Sequence, residues 1–140
     1  MKRFFIVAMA GLIVACGGGT DNAEPASAAT IEKMKPAELA DKAIADLKAA
    51  TTLLAGISTV EAAEAAIPQF KALGDQYAKV NAAMRTVDQS DSRQMMKMAE
   101  KSPLLAAQLQ AFMGEVNAIQ SRNSDAAQIL LPHLRTFSGQ

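Results

Sequence analysis

The chain has 140 residues, with 14 Lys and Arg balanced by 14 Asp and Glu and a single His, so it is formally neutral. Its cations are scattered singly among carboxylates, and no aromatic residues interleave with them. That excludes a nucleic-acid-binding stripe. Trp is absent and aromatic residues make up 4% of the chain. Strong helix formers, alanine above all, dominate at the expense of β-branched and aromatic runs, which predicts an all-α fold.

Residues 1–15 open with Lys2 and Arg3 and run through an apolar stretch to Leu12-Ile13-Val14-Ala15, directly before Cys16. A charged start, an apolar run too short to span a bilayer and small residues before a cut read as a secretory signal peptide. Gly17-Gly18-Gly19 follow at once and break any helix, so the run does not continue into a stop-transfer span. The string Ile13-Val14-Ala15-Cys16 resembles the lipobox of bacterial lipoproteins. That resemblance implies thioether diacylation of Cys16, cleavage after Ala15 and a mature N-terminus carrying two or three acyl chains of the palmitate kind. Each buried methylene contributes about 0.8 kcal/mol, and two chains suffice for stable membrane attachment. Gly17, where inner-membrane lipoproteins of Gram-negative bacteria tend to carry Asp, implies transfer to the outer membrane; the domain is expected to face the periplasm, with surface display or a Gram-positive outer leaflet as the alternatives. Acylation of Cys16 leaves no thiol for a disulfide, a thiolate metal site or a cysteine nucleophile. Loss of Lys2 and Arg3 with the signal peptide makes the mature chain slightly acidic.

Residues 16–30 form the lipidated N-terminus and a tether of small and polar residues that bury too little apolar area to fold. At about 5–6 Å per root residue, the tether holds the domain on the order of 20 Å from the lipid. Residues 31–140 are expected to form one helical bundle. A first helix begins between Ile31 and Pro36 and ends at Gly56, with Ala40, Ala43, Ile44, Leu47, Ala50 and Leu54 on one apolar stripe. Ser58 and Glu61 form a capping-box pattern that starts the second helix as an antiparallel neighbour. Its stripe comprises Val60, Ala63, Ile67, Phe70, Tyr77, Met84 and Val87, broadened by Leu73 and Val80, and Pro68 is expected to kink it.

Asp88-Gln89-Ser90-Asp91 reads as a break, with Asp91 and Gln94 as a second capping pattern. A short helix over residues 92–101 follows, and Ser102-Pro103 marks either a fresh start or a kink within a longer helix. Leu104, Leu105, Leu109, Phe112, Met113, Val116 and Ile119 continue the apolar face. After a break over residues 121–124, with Ser124 as the cap, a last helix over about residues 125–137 carries Ile129, Leu130, Leu131, Leu134 and Phe137, with Pro132 inside. The expected architecture is an antiparallel bundle of three long helices and a shorter closing one. The alanine-rich Glu61-Ala62-Ala63-Glu64-Ala65-Ala66-Ile67-Pro68 start and the Leu/Phe stripe behind it resemble small exported helical proteins of bacteria without an assigned activity. This resemblance implies a fold and no mechanism.

Met95-Met96-Lys97-Met98 is the sharpest chemical feature. Adaptable Met side chains filling a core short of aromatics is the reading adopted. The alternatives are a Cu(I) site, because thioethers are soft ligands and Met95 and Met98 share a helix face, or a Met surface that receives a partner helix. Met84, Met113 and His133 are candidates to complete such a metal site. His133 otherwise reads as a surface or boundary residue, with no triad spacing to Ser124 and Asp125. Glu61 and Glu64 sit in a first turn, where the helix dipole favours them, and Asp88 and Asp91 flank a turn. No Glu-x-x-His, phosphate loop or nucleophile elbow occurs. The sequence therefore predicts no enzyme, no cofactor and no resident metal. Its expected role is a lipid-anchored binding or structural module with an envelope protein as partner, and the alternative is a periplasmic small-ligand or Cu(I) carrier.

Overall fold

The computed structural model describes residues 28–138; the expected signal peptide, Cys16 and most of the expected tether lie outside the described residues. A short helix α1 (Ala28–Ile31) is followed by α2 (Pro36–Ala55), α3 (Val60–Arg85), α4 (Ser92–Arg122), α5 (Ser124–Leu134) and a closing 3₁₀ turn (Arg135–Ser138). No strand occurs among the described residues. The expected all-α bundle of three long helices and a shorter closing one is what the chain forms. Helix α1 is an addition to that expectation, and it seats Ile31 in the core.

Helix α2 packs on both α3 and α4, α5 packs on the same two, and α3 and α4 stand across the diagonal. Seven of the buried core positions are alanines, Ala40, Ala43 and Ala50 of α2 among them. Side chains this small let helix axes approach near the close end of the usual 8–10 Å. Gly74 of α3 serves the same purpose, since a Cβ there would stand 3.3 Å from Thr136 in the 3₁₀ turn. At that closing turn Phe137 is buried, with ring centroids 5.1 Å from Phe112 of α4 and 5.5 Å from Tyr77 of α3.

The helix ends follow local hydrogen-bond chemistry, and three expectations change. Helix α3 is capped by Thr59 rather than Ser58, because the Thr59 hydroxyl accepts from the Ala62 N–H. Ser58 instead offers its carbonyl to the Asn123 side-chain amide. Asn123 both ends α4 and caps α5, accepting from the Ala126 N–H, so Ser124 is the first helical residue and not the cap. The short helix expected over residues 92–101 does not end there: of the two readings of Ser102-Pro103 the longer helix is the one that forms, and α4 runs through Pro103 for 31 residues.

Pro68, Pro103 and Pro132 all lie inside helices, and each is exposed. The carbonyls they leave without a helical donor belong to Glu64, Ala99 and Gln128, which are likewise exposed residues. A proline on the wet side of a helix therefore costs a bond without burying an orphaned acceptor.

Candidate functional site

The short closing helix governs the surface of α4. Helix α5 has 11 residues against the 31 of α4 and runs back from their shared turn at Asn123. At 1.5 Å per residue, α5 and the 3₁₀ turn cover only the C-terminal half of the α4 flank that faces them. There Met113 meets Leu131, Leu134 and Arg135 across a small crevice of about 110 Å³. One turn earlier, Leu109 shares that flank, and earlier still come Met98 and Met95, both half-buried and outside the core cluster. Exposure reaches 65% at Met96, 57% at Leu104, 43% at Met113 and 37% at Leu109. The sequence places Leu104, Leu109 and Met113 on the buried face, so the structure corrects those three. Among residues of α4, only Phe112, Val116 and Ile119 are fully buried.

The core role expected of the Met95-Met96-Lys97-Met98 cluster is corrected as well. Met84 alone of the candidate thioethers packs against the core. It lies one residue from the end of α3, at the same end of the bundle as the start of α4. Met113 is 15 residues beyond Met98, about 22 Å along the helix axis, and cannot share a ligand with it. His133 is half-buried near the end of α5, at the level of Met113, so it too is remote from Met95 and Met98. Among the described residues, no group of three or more His, Cys, Asp or Glu could hold a metal ion.

Between α2 and α3 lies a polar cluster that the sequence alone does not reveal. Asp46 is 2% exposed and its Oδ1 accepts from Lys42 Nζ at 2.7 Å and from Gln76 Nε2 at 2.8 Å. Its Oδ2 is buried with no hydrogen-bond partner. Burial raises the Asp46 carboxyl above the ordinary aspartate range, against the opposing pull of Lys42 and Gln76. The available signal is the Lys42–Asp46 spacing of four on the edge of the α2 stripe, which by itself reads as a surface ion pair. Gln76, thirty residues away, supplies what makes it a core feature.

A cleft of about 600 Å³ opens at the end of the bundle where α1 enters and α3 hands over to α4. Ile31, Leu39, Ala83 and Val87 give it apolar walls, and Glu32, Lys79, Asp88 and Asp91 stand on its rim. Asp88 accepts from the backbone N–H and the hydroxyl of Ser90, which hold its carboxyl below the ordinary value. Asp91 caps α4 through the N–H groups of Arg93 and Gln94, as its position before the helix suggests. Glu61 and Glu64 are exposed in the opening turns of α3, where the sequence places them.

No helix among the described residues is long and apolar enough to cross a membrane. Comparison with protein-family models, with curated proteins and with solved structures finds no match to this chain.

Proposed function

We propose that this protein is a lipid-anchored module of the bacterial cell envelope that holds a protein partner against the uncovered flank of α4. The observation that carries this reading is the row of apolar side chains left beyond the end of α5. Each large aliphatic group kept in water forgoes about 1.5–3 kcal/mol of burial, and grouped exposed apolar residues mark interaction surfaces. An amphipathic helix lying along α4 from Leu109 back towards Met95 would complete the fourth wall of the bundle, as helix-in-groove partners do. The lipobox reading supplies the other half of the proposal. Acyl chains on Cys16 tether the module, with the outer membrane and a periplasmic orientation as the favoured place, and restrict the partner to envelope proteins.

A photo-crosslinking residue at Ala106, which is exposed on this flank, is expected to trap one envelope protein in cells. The same residue at Lys71, exposed on α3, should not. Leu109→Glu and Cys16→Ser should each abolish the Ala106 adduct, the first by spoiling the surface and the second by releasing the protein from the membrane. Equal adducts from both positions, or an adduct indifferent to Leu109→Glu, would reject the docking face. Membrane fractionation of Cys16→Ser reads the anchor separately, and retention at the wild-type level would reject lipidation.

The release of Met95 and Met98 from the core supports a second reading, in which their thioethers hold Cu(I). The two are three residues apart, on adjacent turns of one helix face. Competition with a chromogenic Cu(I) chelator is expected to show one bound ion, lost in Met95→Leu with Met98→Leu. Equal retention by the leucine variant would remove this reading.

A further inference from the structure

We infer that the 600 Å³ cleft at the α1 end of the bundle is a binding site for a small amphiphilic cation, an apolar body carrying an ammonium group. Its volume lies within the range of small-molecule sites, about 300–1,000 Å³. Its inner walls are set by the core itself, since Ile31 and Leu39 are 2% exposed yet line the cleft. Val87, Met34 and Ala83 extend this apolar surface towards the mouth. An aliphatic or aromatic body therefore finds a surface held by packing.

The rim decides the sign of the ligand. Glu32 of the α1–α2 connection and Asp88 and Asp91 of the α3–α4 connection supply three carboxylates, against one ammonium from Lys79. Asp91 is fixed in place as the cap of α4, and Asp88 is fixed by Ser90, so two of the three charges sit on an ordered turn. Hydrogen bonds from Ser90 hold the Asp88 carboxyl below the ordinary aspartate value. A rim of net negative charge above apolar walls attracts an organic cation and repels a fatty acid of the same length. This site is separate from the α4 flank proposed for the protein partner, and neither reading depends on the other.

The test uses the full chain, ¹⁵N-labelled, titrated with hexyltrimethylammonium and, in parallel, with hexanoate and hexan-1-ol. The cation is expected to shift the backbone amides of Lys79, Ala82, Thr86 and Gln94, with hexanoate and hexan-1-ol leaving them in place. Glu32→Lys should weaken the cation about fivefold, the scale of reversing one exposed charge, and added salt should weaken it further. Ala82→Trp introduces an indole from an exposed lining position without disturbing the core, and it should abolish binding. Three results would overturn the inference: no shift from the cation, equal shifts from hexanoate or hexan-1-ol, or cation shifts that persist in Ala82→Trp.

Discussion

Replacing Phe137 by alanine is expected to remove about 3–5 kcal/mol of stability, the range for deleting a buried phenylalanine. That is a large share of the roughly 5–15 kcal/mol available to a domain of this size. The ring is buried between Tyr77 and Phe112, so one side chain on a four-residue turn joins α3 to α4 where the two are otherwise across the diagonal. Tilted aromatic pairs add about 0.5–1.5 kcal/mol beyond their area, which places the loss towards the upper end. Phe137→Leu keeps most of the volume and should cost far less. Tyr77 is the single tyrosine of a chain without tryptophan, so its fluorescence reports directly on this aromatic trio. Urea unfolding followed by that fluorescence and by far-ultraviolet circular dichroism is the measurement. A loss below about 1 kcal/mol for Phe137→Ala would show that the closing turn is not part of the cooperative unit.

The same closing turn explains why some of the molecule is legible in its sequence and some is not. The stripe of α2 is legible because all six of its positions face neighbours that run its whole length, and five of them are buried outright with Ile44 half-buried. Along α4 an equally regular spacing misleads. Leu105, Leu109, Phe112, Val116 and Ile119 recur with helical period, but whether Leu109 is covered depends on how far α5 extends, which is a tertiary quantity; Leu104, nine residues and half a turn from Met113, lies on the opposite side of the helix. Period fixes a face and does not fix the length of its partner. Thr59 and Asn123 escape notice as caps for a related reason. Ser58, Thr59, Asn123 and Ser124 are all good cap residues, and the choice within each pair is made by one hydrogen bond, such as that from the Ala126 N–H to Asn123. Pro103 reads as a possible stop because proline in a helix interior removes a donor. Its exposure, which makes that removal tolerable, is again set by packing. The candidate site divides in the same way. The lipobox resemblance at Cys16 rests on local sequence, whereas the uncovered flank of α4, the end cleft and the Asp46 cluster require the assembled bundle.

Lys42→Met is expected to destabilise the protein by about 3–5 kcal/mol at neutral pH, because it leaves the Asp46 carboxylate buried without its cation. The ammonium end of Lys42 is 2.7 Å from Asp46 Oδ1 and its side chain is 13% exposed, so little water is available to replace it. The linkage sign follows from the raised carboxyl of Asp46. A group whose proton is held more tightly in the folded state than in the unfolded chain gives its full stabilisation below the unfolded value, 3.8 for aspartate. That contribution is lost as pH rises through the folded value. Removing Lys42 takes away the hydrogen bond and the charge that oppose the shift, so the folded value rises further and the penalty at neutral pH grows. Lys42→Met should therefore be most damaging near pH 7 and much less so near pH 4, opposite to the acid sensitivity of an ordinary salt-bridged carboxylate. Lys42→Met with Asp46→Leu should recover most of the loss, since a buried ion pair replaced by apolar groups of similar size is often neutral or stabilising. A residual deficit of about 1–3 kcal/mol is expected from the Gln76 amide, which then lacks its acceptor. Adding Gln76→Leu should recover that too. Urea denaturation of the wild type and the three variants at pH 4 and pH 7 checks the series. A Lys42→Met penalty equal at both pH values would mean that Asp46 is solvated and that α2 and α3 do not enclose it.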